Sequence, residues 1–191
     1  MSAKVGRGTG ALPPGVKLAP LSRVRDQRGS LVEIHRHAPD DGQAQPRQWN
    51  ALVSVPNTLR GMHVHVQHTD WIAVVHGAAR VAMVDLRGGR DAARAPAVMI
   101  DLVDESHAML VVPPGVLHGF YTAEHSVLLN GLSHEYDERD DLAVRYDDHA
   151  LGVEWGAIDP VLSERDRDAG DLASLFAELA TRGEQLPSLP R

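Results

Sequence analysis

The stretch Gly61-Met-His63-Val-His65-Val-Gln-His68-Thr-Asp70-Trp-Ile-Ala-Val-Val-His-Gly77 decides how this chain is read. It sets two histidines on alternate positions, follows them with a carboxylate at Asp70, and closes on a glycine. If Gly61 to Gly77 is a strand pair, His63 and His65 share one face, because strand side chains alternate with period two. A second segment, Pro113-Pro-Gly115-Val-Leu-His118, adds a histidine after a turn. His63, His65, Asp70 and His118 are then expected to complete a three-histidine, one-carboxylate pocket of the kind that holds a divalent metal. Imidazole and carboxylate suit Fe, Mn, Ni, Zn and Co alike.

Working outward, short strands follow one another with Gly and Pro turns between them. A hairpin is predicted around Asp26-Gln-Arg-Gly29, with a strand from Ser30 to His35. Further strands are predicted at Gln48 to Val55, Leu59 to Val66, Trp71 to Val75, Ala79 to Leu86, Val98 to Leu102, Ala108 to Val112 and Val127 to Gly131. That rhythm argues for an all-β antiparallel sandwich or barrel. From Asp171 to Ala180 the period changes: Leu172, Leu175, Phe176 and Leu179 recur at helical spacing after a capping aspartate, so a short helix packs on the exterior. The expected organisation is a loose arm over residues 1–17, one domain over 18–170, and the helix and tail over 171–191.

The 191 residues suffice for one domain with a sizeable core. A net charge of −7 argues against nucleic acid or an anionic membrane as partner. An anionic small molecule stays open, since a few local arginines outweigh distant charge. With no cysteine, a disulfide scaffold, a thiolate metal site and a cysteine nucleophile are excluded. The N-terminus lacks the apolar core of a signal peptide, and no apolar run approaches the roughly 20 residues that span a bilayer. The expected setting is soluble and cytoplasmic.

Seven pieces then carry a resemblance: Asp26-Gln-Arg-Gly29, Leu59-Arg-Gly-Met-His63, Val84-Asp-Leu-Arg87, Val112-Pro-Pro-Gly-Val-Leu-His-Gly-Phe120, Tyr146-Asp-Asp148, Leu151-Gly-Val-Glu-Trp155 and Leu162-Ser-Glu-Arg-Asp-Arg167. In this order and spacing, the chain resembles the dTDP-4-dehydrorhamnose 3,5-epimerase family from about Asp26 to Arg167. The resemblance implies a cupin jelly roll, a double-stranded β-helix barrel. It also implies epimerase chemistry on a nucleotide-linked 4-keto-6-deoxysugar, no organic cofactor, and a homodimer formed by exchanging N-terminal strands. In that chemistry a histidine, made more basic by an aspartate, removes a proton beside a ketone while other groups stabilise the enolate. Carried onto this chain, His63 is the base and Asp166 its partner, and His118 is the second histidine. Arg28, Glu33, Gln48, Asn50, Arg60 and Asp141 fall where the family contacts nucleotide and sugar, with Arg28 and Glu33 serving the neighbour's pocket. Arg60 is a natural phosphate clamp.

Two positions depart from that pattern. The family's lysine falls on Asp70, which repels an enolate, and its proton-donating tyrosine falls on Asn130, which cannot act as an acid. Tyr136 matches a different family tyrosine, near the nucleotide, and His65 stands where the family has glutamine. The spacing of His63, His65, Asp70, Gly77 and His118 is also that of the general metal-binding cupin motif, with Asp for the usual Glu. His63 cannot both ligate a metal and serve as a free base. Three readings follow: a divergent epimerase, a metal-dependent cupin enzyme of altered chemistry, and a non-catalytic sugar-nucleotide binder. His68 is expected in an exposed turn, and Asp137 to Asp141 as a solvated acidic loop.

Overall fold

A computed structural model describes residues 10–36, 44–89 and 97–189. Two five-stranded antiparallel sheets face each other. One runs, edge to edge, β1 (Lys17–Pro20), β9 (Ala108–Val112), β6 (Asp70–His76), β11 (Ser126–Leu132) and β4 (Gln48–Ser54). The other runs β12 (Leu142–Ala143), β5 (Thr58–Val64), β10 (Val116–Thr122), β7 (Ala78–Asp85) and β8 (Val98–Val103). A separate hairpin pairs β2 (Arg23–Asp26) with β3 (Gly29–Val32). The jelly-roll expectation holds as a sandwich. Among the described residues no ladder joins the two sheets, so the barrel is not closed.

Period-two alternation decides which face each strand buries. In β7, Val81 and Met83 point between the sheets, against Ile72, Val74, Leu110, Phe120 and Leu128. Their neighbours Ala82 and Val84 face the other way, into a second apolar layer closed by Leu172, Leu175 and Leu179. Those leucines belong to α2 (Leu172–Arg182), whose first turn is capped by the Asp171 side chain accepting from the Ser174 N–H. A shorter helix, α1 (Glu164–Asp168), has Ser163 as its cap. Of the arm expected over residues 1–17, residues 1–9 lie outside the described residues. Pro13 and Val16 are buried, and Leu12 packs against the layer between the sheets.

One irregularity positions the site. Between β10 and β5, His118 pairs with His63 and Phe120 with Arg60, so two steps along β10 span three along β5. The extra residue is a β-bulge, and it resets the alternation. Leu59 faces the α2 side before it, and Met62 and Val64 face that side after it. Arg60 and His63 consequently both line the space between the sheets. Gly61 occupies the bulge with φ +123°, and a Cβ there would lie 2.6 Å from the Gly119 Cα on the neighbouring strand. Only glycine fits both demands.

Candidate functional site

Toward one end of the sandwich the inward rows turn polar. Along β6 the inward row Asp70, Ile72, Val74 begins with a carboxylate, and along β10 the row Val116, His118, Phe120 carries an imidazole. Of these, Asp70, Ile72, His118 and Phe120 line a cavity of about 490 Å³, which also receives His63, His65, His68, Asn130 and, from α1, Asp166.

His63 and Asp166 form a pair. The imidazole Nε2 stands 2.6 Å from the Asp166 Oδ1. The Gly61 N–H approaches the other carboxylate oxygen at 3.4 Å, and the Asp166 N–H donates to the Ser163 Oγ at 3.0 Å. Burial alone would raise Asp166, but the hydrogen bond and charge of His63 and the Gly61 N–H outweigh it and hold the carboxyl below its ordinary value. A carboxylate can only accept, so the His63 proton sits on Nε2 and the lone pair on Nδ1. That Nδ1 lies 3.9 Å from the Asp141 Oδ1. Burial raises Asp141 too, yet the Arg165 guanidinium bonded to it and the imidazoles of His63 and His65 bring it down to about 2.

A second cluster gathers around Asp70, which is 1% exposed. Its Oδ2 lies 3.3 Å from the Nε2 of His65, 3.6 Å from that of His68 and 3.6 Å from that of His118. The rings of His65 and His68 stack with centroids 3.7 Å apart, and His118 meets His65 edge-on at 5.5 Å. Burial pushes His65 down to about 4 and lowers His118, so both are neutral at neutral pH. For His68 burial also lowers, but the Asp140 hydrogen bond and the charge of Asp70 outweigh it and the net shift is upward.

Two expectations are corrected here. His68 is 3% exposed rather than in an exposed turn, and it belongs to the group that can hold a metal, His65, His68 and Asp70. His63, expected in the same ligand set, pairs through Nε2 with Asp166. The acidic loop is likewise not solvated throughout. The Asp140 carboxylate is buried and accepts from the N–H groups of Val66, Gln67 and His68 and from the His68 Nδ1. It pins the loop between β5 and β6, which turns His68 inward. Sequence reading missed Asp140, His68 and Arg165. The signal available was the pair His65-x-x-His68 immediately before Asp70.

The remaining candidates divide. Asn50, Arg60, His118 and Asp141 line the cavity, as does Tyr136. Gln48 stands one step back, donating to the Asn50 Oδ1 at 3.1 Å and accepting from the Tyr136 N–H at 2.9 Å. Arg60 donates to the Ser54 Oγ and the Val53 carbonyl. Arg28 is paired with Asp26 in the exposed β2–β3 turn, and Glu33 with Arg36, so both lie outside the cavity of their own chain. No helix among the described residues is long and apolar enough to cross a membrane.

Comparisons with known proteins agree with this architecture. The family model for dTDP-4-dehydrorhamnose 3,5-epimerase matches residues 12–174. A dTDP-4-dehydrorhamnose 3,5-epimerase of Streptomyces griseus is 31% identical over 179 residues, covering 85% of this chain and 86% of that one. The 4-keto-6-deoxy sugar epimerase from the novobiocin biosynthetic gene cluster of Streptomyces spheroides superposes with a TM-score of 0.71 at 26% identity, over 94% of this chain and 98% of its own. The dTDP-6-deoxy-D-glucose-3,5-epimerase of Legionella pneumophila, solved with dTDP-4-keto-L-rhamnose, shares the fold, with a TM-score of 0.78 at 24% identity over 92% of this chain and 94% of its own. This chain belongs to the dTDP-4-dehydrorhamnose 3,5-epimerase family.

Proposed function

We propose that this protein is an isomerase that epimerises a dTDP-4-keto-6-deoxyhexose by removing a proton from a carbon beside the ketone. The observation that carries the reading is the His63–Asp166 contact of 2.6 Å at the wall of the cavity, in a chain of this family. His63 Nδ1 has the free lone pair and takes the proton, and water in the cavity returns one to the opposite face of the enolate, since Asn130 is no acid. Asp166 holds the ring in the required tautomer and stabilises the imidazolium that forms. Arg60 offers a guanidinium for the diphosphate, and Asn50 and Tyr136 offer hydrogen bonds to sugar or base. No organic cofactor enters this chemistry.

The reading extends to a homodimer in the cytoplasm, with which a cysteine-free chain is compatible. The β2–β3 hairpin presents Val24 and Leu31, each 66% exposed, beside Arg28. Docked on a second copy, it would bury those side chains and carry Arg28 and Glu33 toward the partner's cavity. Light scattering on the purified protein checks the dimer.

A second reading, a metal-dependent enzyme of altered chemistry on the same scaffold, is favoured by Asp70 inside the cavity, where the family resemblance implies lysine. Incubation with dTDP-4-keto-6-deoxyhexose in deuterated water separates the two. The epimerase incorporates solvent deuterium beside the ketone, and His63→Asn abolishes it. Native protein that incorporates none defeats the epimerase reading.

A further inference from the structure

We infer that the cavity holds a divalent metal ion through His65, His68, Asp70 and His118, with His63 outside the ligand set. The Nδ1 of His65 lies 3.0 Å from the Asp140 carbonyl, that of His118 lies 3.1 Å from the Val116 carbonyl, and that of His68 lies 2.8 Å from the Asp140 carboxylate. All three partners only accept, so each Nδ1 carries the hydrogen and each Nε2 points a lone pair inward. The three lone pairs converge on Asp70 Oδ2, itself an acceptor. Neither that oxygen nor the His68 Nε2 has a hydrogen-bond partner, and the two residues are 1% and 3% exposed. Four acceptors facing one another in a buried space repel unless a cation stands between them.

A protonated His68 would not settle this cluster, because its Nε2 is 3.6 Å from the oxygen, beyond hydrogen-bond reach. A metal ion does. Ligand atoms about 2.1 Å from a tetrahedral ion stand roughly 3.4 Å apart. The Asp70 oxygen stands 3.3 and 3.6 Å from the His65 and His68 nitrogens, the ligand atoms of these three residues all lie within 4.8 Å of one another, and the His118 nitrogen is 3.6 Å from the same oxygen. Holding each histidine by its other nitrogen, on a carbonyl or carboxylate, is how proteins orient metal-bound imidazoles. Three imidazoles and one carboxylate suit Zn, Fe, Co, Mn or Ni. Leaving His63 out removes the conflict between ligand and base: the pair with Asp166 and the ion occupy different walls of one cavity. On the epimerase reading, which this role alone rests on, the ion supplies positive charge to the enolate oxygen.

The test is cobalt titration of the chelator-stripped full-length protein, followed by visible absorption and equilibrium dialysis. About one equivalent per chain is expected, with the intense visible bands of a four-coordinate site. His68→Gln should weaken binding at least tenfold, and His63→Asn should leave stoichiometry and affinity within twofold of native. Should His68→Gln fail to fold by circular dichroism, Asp140→Asn replaces it, with an expected loss of about 10- to 100-fold. Native protein that takes up no cobalt overturns the site, and so does loss of binding in His63→Asn with retention in His68→Gln. Deuterium incorporation in the same preparations keeps the two readings apart. An ion bound without any exchange defeats only the epimerase, and full exchange in protein that binds no ion defeats only the metal site.

Discussion

Replacing Asp166 by Asn removes one charge while preserving shape, and the geometry says what that must do. Two donors converge on this carboxylate, the His63 ring N–H at 2.6 Å on one oxygen and the Gly61 backbone N–H at 3.4 Å on the other. An amide has only one oxygen to offer. If that oxygen serves His63, the base keeps its tautomer but loses a charge-assisted bond that strengthens as the ring becomes an imidazolium. Such bonds contribute about 1.5–3 kcal/mol, which is roughly a ten- to hundredfold fall in kcat. If the oxygen serves Gly61, the amide NH2 faces His63 and drives the ring into the other tautomer. The lone pair then leaves Nδ1, and the loss grows toward the full ~10²–10⁴ of a general base. KM should move little, since Asp166 bonds the face of the ring opposite the free nitrogen. The assay is the initial rate of deuterium incorporation into dTDP-4-keto-6-deoxyhexose, measured beside the melting curve. A rate within twofold of native, in a protein of native fold, refutes the assignment. The same variant reports on stability. The folded state holds Asp166 below its ordinary value, so its contribution is present above about pH 4 and is lost as pH falls through the lowered value. The stability gap between native and Asp166→Asn should therefore be constant at neutral pH and close in acid, and a gap that widens in acid would contradict the sign.

Three further outcomes follow from particular contacts. Asp70→Asn places amide hydrogens among three imidazole lone pairs, so the metal-free variant should be more stable than metal-free native protein by about 1–3 kcal/mol. A chain of this size then melts roughly 2–4 °C higher per kcal/mol, and identical melting of the two chelated proteins would count against the quartet. Gly61→Ala sets a Cβ 2.6 Å from the Gly119 Cα at a φ of +123°, and should lower Tm by about 4 °C or more; an unchanged Tm would remove the case for the bulge. Arg60→Gln should raise the dissociation constant for dTDP, by calorimetry, about tenfold or more with a smaller effect on kcat, and unaltered affinity would take Arg60 off the diphosphate.

What was legible in the sequence tracks what is local. Strands with one apolar face announced themselves by alternation, and the helix of residues 172–182 by its leucine spacing and its Asp171 cap. β10 did not, because Val116 to Thr122 is buried on both faces almost throughout and shows no alternation to read. α1 is five residues long, too short for a period, yet it delivers Asp166. His63, Asp166, Asp70 and His118, expected from motif order and spacing, all line the cavity, because motif order survives distortion of the backbone between them.

The proposed division of labour among the histidines was not legible, and the reason is physical. Spacing places His63 and His65 on one face, as a regular strand would, and so assigns both to one site. Two long-range contacts give them different neighbours. The bulge at Gly61 brings His63 opposite Asp166, over a hundred residues away in sequence. Asp140 gathers three successive N–H groups from residues 66–68 and holds His68 beside Asp70. Neither contact has a periodic signature, because each is set by where a remote loop returns to the sheet. Asp70 makes the consequence concrete. Taken as a replacement for a lysine it reverses the field an enolate needs, and the site looks disabled. Set among three Nε2 lone pairs whose tautomers are locked from behind, the same carboxylate would be one side of the proposed cation site. The positive charge that the side chain withdrew can then return as an ion.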